Sequence, residues 1–300
     1  MWTLLIPAAL AYEVDAWAPY EEPIADSTER ANATLDAWFG RAVAELRCDL
    51  PDDELKRHLA RALMRASARR TRLRDRPFPR SLGYGRYSAW LETDPGIDRI
   101  ETGTEGLFED VGPLDSPVLS FAGAASSIRL AGIPVGTDKV DHFLATGFDY
   151  ARWSRWGKNP ERAVRFGTRT ERLFLGRLTS KAFSYADLEA NWAGYEFYAG
   201  LLGPGSPFVR GEDGCVERVR SWDWAEWVGS DWDELQNPSV YGPRVRRAVE
   251  EALLPDRDAV CEAWSHAEPD AERHVHGHVP PQTGPFGLDD LCPPDQSLSR

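Results

Sequence analysis

Apolar residues recur at steps of three and four in several stretches of the chain, and those stretches predict its helices. After Asp26 and Ser27, either able to cap a helix, Leu35, Trp38, Phe39, Ala42, Val43 and Leu46 share one face. A second stripe, Leu55, Leu59, Ala62 and Leu63, follows Pro51 and Asp52 and leaves Lys56, Arg57 and Arg61 outside, so the two stretches predict a helical hairpin. Residues 71–112 are rich in Arg, Pro and Gly and predict irregular structure with one helical piece near Tyr87 to Leu91. The pattern then turns toward β: Val118 to Phe121, and Ile128 to Val135, read as short strands with a glycine turn. Thr137 caps a helix from Asp138 to Trp156, Asn159-Pro160 opens another to about Leu175, and Ser184 to Asp187 is a capping box for a third that ends near Leu201. A tryptophan-dense segment from Trp222 to Trp232 precedes a helix opened by Pro243 and a last one carrying Cys261 and Trp264.

These elements predict a mainly α fold, α+β only through one small β-hairpin, arranged as a compact single-domain helical bundle over residues 12–268. The start of the chain, residues 1–11, is an apolar run closing on Ala9-Leu10-Ala11 and reads as a signal peptide or, failing that, a buried first strand. Residues 269–300 lose periodicity, gain Pro, Gly and His, and read as a tail.

Composition narrows the setting. Hydrophobic residues make up 42% and charged residues 28% of the chain, which places it among globular proteins and away from disorder. The net charge of -13 repels phosphate backbones, so no nucleic-acid partner is expected. No apolar run reaches the roughly 18 residues of a membrane span. Four cysteines, Cys48, Cys215, Cys261 and Cys292, show no C-x-x-C spacing. In an exported, periplasmic or secreted protein they read as two disulfides with three possible pairings, and in a cytoplasmic one as four buried thiols.

Three motifs carry candidate chemistry. In the first, Asp138 and His142 stand four apart on a helix, where a carboxylate can fix an imidazole tautomer, and Lys139 offers a cation. In the second, Asp187, Asn191 and Gly194 share a helical face, with Tyr195 beside them, and the glycine admits a ligand or another backbone. In the third, Asp233 and Glu234 follow Trp232 and precede Asn237, and apolar surroundings can lift one carboxyl pKa while its neighbour stays ionised. Each has a bland counterpart: Asp138 complements a helix dipole, Asp187 completes a capping box, and Asp233 and Glu234 are surface charges beside an Asn-Pro turn. The clustered tryptophans fill a core or stack on sugar rings. His274, His276 and His278 alternate in the tail segment and read as an adventitious metal tract or a solvated stretch.

The D-K-x-x-H-F pattern of Asp138, Lys139, His142 and Phe143 resembles the short motif of poorly characterised bacterial envelope proteins, the YfiM-like and VanZ-like families among them. The resemblance covers less than a tenth of the chain and implies a bacterial envelope setting in which Asp, Lys and His act together. The functional expectation is an exported hydrolase or lyase acting on an envelope or extracellular polymer, preferably a glycan. In it Asp138, Lys139, His142, Asp233 and Glu234 are catalytic, and Asp187, Asn191, Tyr195, Trp232 and Asn237 bind substrate. Neither a cofactor nor a bound metal is expected, although Asp138, His142 and Asp233 would be the ligands of a metal site. The rival is a non-catalytic envelope or interaction module whose motifs form a buried polar network.

Overall fold

The computed structural model describes residues 13–69, 85–101, 106–116, 119, 124–170, 182–265 and 291–292. The signal-peptide stretch, the Val118 to Phe121 strand apart from Leu119, and the histidine tract lie outside them. Within them the protein is mainly helical, with only small antiparallel strand pairs. Helices α1 (Thr28–Ala44) and α2 (Asp52–Ser67) pack as the hairpin that their apolar stripes require. Asp26, not Ser27, supplies the cap: its Oδ1 accepts from the Thr28 amide at 2.8 Å, while the Ser27 side chain makes no such bond. Helix α3 (Arg86–Leu91) is the short piece expected near Tyr87.

Strands β1 (Ser127–Leu130) and β2 (Ile133–Gly136) form the predicted hairpin, paired Leu130 to Ile133. Its two turn residues, Ala131 and Gly132, take φ of 53° and 79°, the left-handed pair that matches strand twist and that glycine adopts without cost. Helix α4 leaves β2 directly and covers residues 137–153 in three stretches. Thr137–Asp141 and Gly147–Trp153 are α-helical, and His142–Thr146 between them widens to π geometry. Thr137 is its first helical residue rather than its cap, and its hydroxyl instead donates to the buried carboxylate of Glu92. The helix stops at Trp153, three residues earlier than the pattern predicts, because Arg155 and Trp156 turn to φ of 57° and 60°.

Helix α5 (Pro160–Thr170) leads to β3 (Ala182–Phe183) and then α6 (Tyr185–Gly200), capped by Ser184 Oγ accepting from the Asp187 amide at 3.1 Å. Two strand pairs were not legible beforehand. β4 (Phe208–Arg210) pairs with β5 (Val216–Arg218), and β3 pairs with β6 (Val240–Tyr241). Each is only two or three residues long, too short to show alternation. Helices α7 (Pro243–Leu253) and α8 (Arg257–Ser265) close the described chain.

Two large apolar clusters hold most of these elements, and a minor third joins Val164, Phe183, Tyr185 and Leu188. The larger joins α1, α2, the β1–β2 hairpin, α4 and α6 around Phe143, Phe197, Trp222, Trp224 and Trp232. The smaller joins Trp17, Phe108, Leu235, Tyr241 and the inner face of α7. The segment from Trp232 to Leu235 steps from one cluster to the other, so Asp233 and Glu234 are carried into the interior between them. Disulfides Cys48–Cys215 and Cys261–Cys292 select one of the three pairings. The second anchors Cys292, within the stretch expected to be a tail, against the smaller cluster.

Candidate functional site: a buried charge cluster

Helix α4 presents opposite faces to opposite chemistry. Val140, Phe143 and Leu144 enter the larger apolar cluster. Asp138, Lys139 and His142 face α6 and the Trp232–Leu235 segment. Lys139 is fully enclosed, and its ammonium lies 2.7 Å from Asp138 Oδ2, 2.7 Å from Asp187 Oδ1 and 2.6 Å from Glu234 Oε1. An ammonium has three protons, and three carboxylates from three separate segments surround this one. His142 joins on the other side of Asp187, with Nε2 3.1 Å from Asp187 Oδ2 and Nδ1 3.0 Å from Asn191 Oδ1. Asn191 Nδ2 in turn donates to the Tyr150 hydroxyl at 3.3 Å.

Asp187 and Ser184 each serve twice. The Asp187 amide donates to the Ser184 cap of α6, while its carboxylate, instead of closing the capping box, turns to Lys139 and His142. Ser184 accepts that amide and donates to Glu234 Oε1 at 3.2 Å. Gly194 has the role that its spacing predicts. A Cβ there would lie 2.1 Å from Phe143 O, so the bare glycine lets α6 close on α4 where Gly147 meets it, and the neighbour is backbone rather than ligand.

Burial sets the protonation of the cluster. It pushes Glu234 up to about 7, although Lys139 pulls the other way. Asp138 is raised for the same reason. Burial alone would raise Asp187 too, but His142 and Lys139 hold it far below the ordinary carboxylate range. Burial would likewise depress Lys139, yet Asp138, Asp187, Glu234 and Glu13 keep it well above its usual value. The cluster therefore sets one carboxylate held ionised, Asp187, against one firmly charged amine, Lys139, with the carboxyls of Asp138 and Glu234 both raised by burial.

The predicted residues divide. Asp138, Lys139, His142, Asp187, Asn191 and Glu234 converge. The carboxylate on His142 is that of Asp187, not of Asp138, because Asp138 is drawn to the adjacent ammonium. Asp233 belongs elsewhere: it accepts from the Tyr20 hydroxyl at 2.5 Å and from the Leu235 amide at 2.9 Å, and burial lifts it to about 6. Asn237 donates to the Asp231 carbonyl at 2.9 Å, and Trp232 and Tyr195 are core aromatics of the larger cluster. Trp222 and Trp224 are also buried in that core, so these rings offer no sugar platform. Ser184 and Tyr150 were missed as site residues. Ser184 was visible only as a cap, and Tyr150 lies two turns from His142 with no motif to mark it.

One atom each of Asp138, His142 and Asp187 lie within 4.8 Å of one another, a spacing suited to a metal ion. Asp233 is not among them, so the metal triad read from the sequence is replaced by one containing Asp187. The cation that Asp138 and Asp187 both face here is the ammonium of Lys139. None of the converging side chains is more than 5% exposed. Two surface clefts are lined by other residues, one by Arg41, Arg61 and Arg65 of the α1–α2 hairpin and one by Asp26, Arg30 and Asp94. No protein-family model, no curated protein and no solved structure matches this chain.

Proposed function

We propose that the chain is a non-catalytic, extracytoplasmic interaction module whose Asp-Lys-His and Asp-Glu motifs form a structural network. The observation that carries this reading is the enclosure of Lys139, 0% exposed and ringed by three carboxylates at 2.6 to 2.7 Å. Breaking a buried pair strands an unpaired charge and costs about 3–5 kcal/mol, so such a cluster holds its three segments in one register. Two disulfides support export, since they persist in oxidising compartments, and no described helix is long and apolar enough to cross a membrane. The D-K-x-x-H-F resemblance adds an envelope setting.

A second reading, a hydrolase or lyase of an envelope glycan, is favoured by one observation: Glu234 and Asp187 have pKa values driven apart, as an acid and base require. His142→Ala and Glu234→Gln separate the two. Removing a polar group from an active centre is commonly neutral or stabilising, whereas removing one from a structural network destabilises. We expect both variants to melt below the wild type. Unchanged or raised melting temperatures would favour the catalytic reading.

A further inference from the structure

The cleft on the α1–α2 hairpin is basic in a protein that is otherwise acidic. It encloses about 540 Å³ and is lined by the exposed guanidinium groups of Arg41, Arg47, Arg61, Arg65 and Arg86, with His58 beside them and Glu45 as the one carboxylate of its wall. Arg47 is paired with Asp49. Among the described residues Arg41, Arg61, Arg65 and Arg86 have no carboxylate partner, although carboxylates outnumber basic residues 48 to 35 in this chain. The concentration is visible in the sequence as well: from Lys56 to Arg86 there are eleven basic residues against the single carboxylate of Asp75, while the whole chain is at -13. At physiological salt the Debye length is about 8 Å, so distant acidic groups scarcely offset a local cluster of this size. A concave site also focuses its own field.

Arginine forks match carboxylate, sulfate and phosphate groups in paired hydrogen bonds. The volume is that of a site for a ligand of a few rings rather than for one small ion. Trp38 forms part of the wall, with the Arg86 guanidinium 4.5 Å from its ring centroid, and so places an aromatic surface next to the cationic groups. We infer that this cleft binds an acidic polysaccharide, gripping its anionic substituents through Arg41, Arg61, Arg65 and Arg86. The inference deepens the interaction-module reading and rests on it. The two fail separately, because the buried cluster is tested by stability and the cleft by binding.

The probe is a heparin-derived hexasaccharide, titrated calorimetrically into the 300-residue chain at several salt concentrations. We expect saturable binding that weakens as salt rises, and at least a tenfold loss of affinity in Arg61→Ala/Arg65→Ala. The salt slope should fall by about one for each arginine removed. Both positions are exposed, and an unchanged melting temperature would confirm that the fold is intact. As a control, Arg244→Ala/Arg247→Ala on α7 should bind like the wild type. No binding at low salt, equal losses in the two double variants, or tighter binding to phosphatidylglycerol vesicles or to single-stranded DNA at the same salt would each overturn the assignment.

Discussion

Neighbouring residues on α4 enter two interiors that work by different rules. Phe143 lies among Phe197, Trp222, Trp224, Trp227 and Trp232, with ring centroids 5.3 to 5.8 Å away. Lys139 and His142, one turn and one residue before it, lie among carboxylates and an amide. Apolar packing tolerates substitution by apolar residues of similar volume at modest cost. The charge cluster tolerates far less, because removing one member leaves its partners buried without their counter-charge. On the proposed reading, the aromatic side provides bulk stability and the charged side dictates which segments meet.

The sharpest break in that comparison is Lys139→Met, which keeps the volume and removes the charge. Three enclosed carboxylates lose their shared partner, and we expect a loss of about 3–5 kcal/mol or outright failure to fold, read by chemical denaturation. On the aromatic side Phe143→Leu should cost less, about 1–2 kcal/mol, with an unchanged denaturant slope. If Phe143→Leu proved the more damaging of the two, the assignment of roles would be reversed.

A third test uses pH. The folded-state pKa of Glu234, about 7, lies above its ordinary 4.5, so between those values the folded protein holds a proton that the unfolded chain has released. Stability is therefore higher at the acid end of this window and falls as pH rises through it. Asp233, lifted to about 6, adds to the fall. Glu234→Gln should flatten the decline between pH 4.5 and 7, followed by thermal melts at fixed ionic strength. The depressed pKa of Asp187 acts in the opposite sense, contributing stability that is lost as pH drops below the ordinary carboxylate range. The smallest effect belongs to Asp49→Asn. Its pair with Arg47, at 3.0 Å, resembles the Lys139 contacts in distance, but both partners are about 70% exposed, and the melting temperature should not move.

How much of this was legible follows from what each element needs. The helices α1, α2, α6 and α7 announce themselves, because stripes such as Leu55, Leu59 and Leu63, the Ser184 cap and the Pro243 start are local signals. So is the turn at Ala131 and Gly132. Strands β3 to β6 are two or three residues long and owe their pairing to tertiary contact, which no local pattern encodes. The residues of the charge cluster were also legible as types and spacing, but their partnerships were not. That Asp187 and not Asp138 meets His142, and that Glu234 and not Asp233 meets Lys139, depends on side-chain directions across three segments far apart in the chain. Adjacent carboxylates look alike in sequence; here one faces Tyr20 and the other faces an ammonium.

The enclosure of Lys139 is the claim on which the rest turns, and side-chain nuclear magnetic resonance reads it directly. The chain has four lysines, Lys56, Lys139, Lys158 and Lys181, so few ammonium signals compete. In a nitrogen-15 labelled sample at neutral pH, Lys139 should give a proton-coupled ammonium resonance that exchanges slowly with water and disappears in Lys139→Met or, if that variant does not fold, in Lys139→Arg. An ammonium that exchanges as fast as that of the exposed Lys158, or that titrates as a free amine near its usual pKa, would contradict the account.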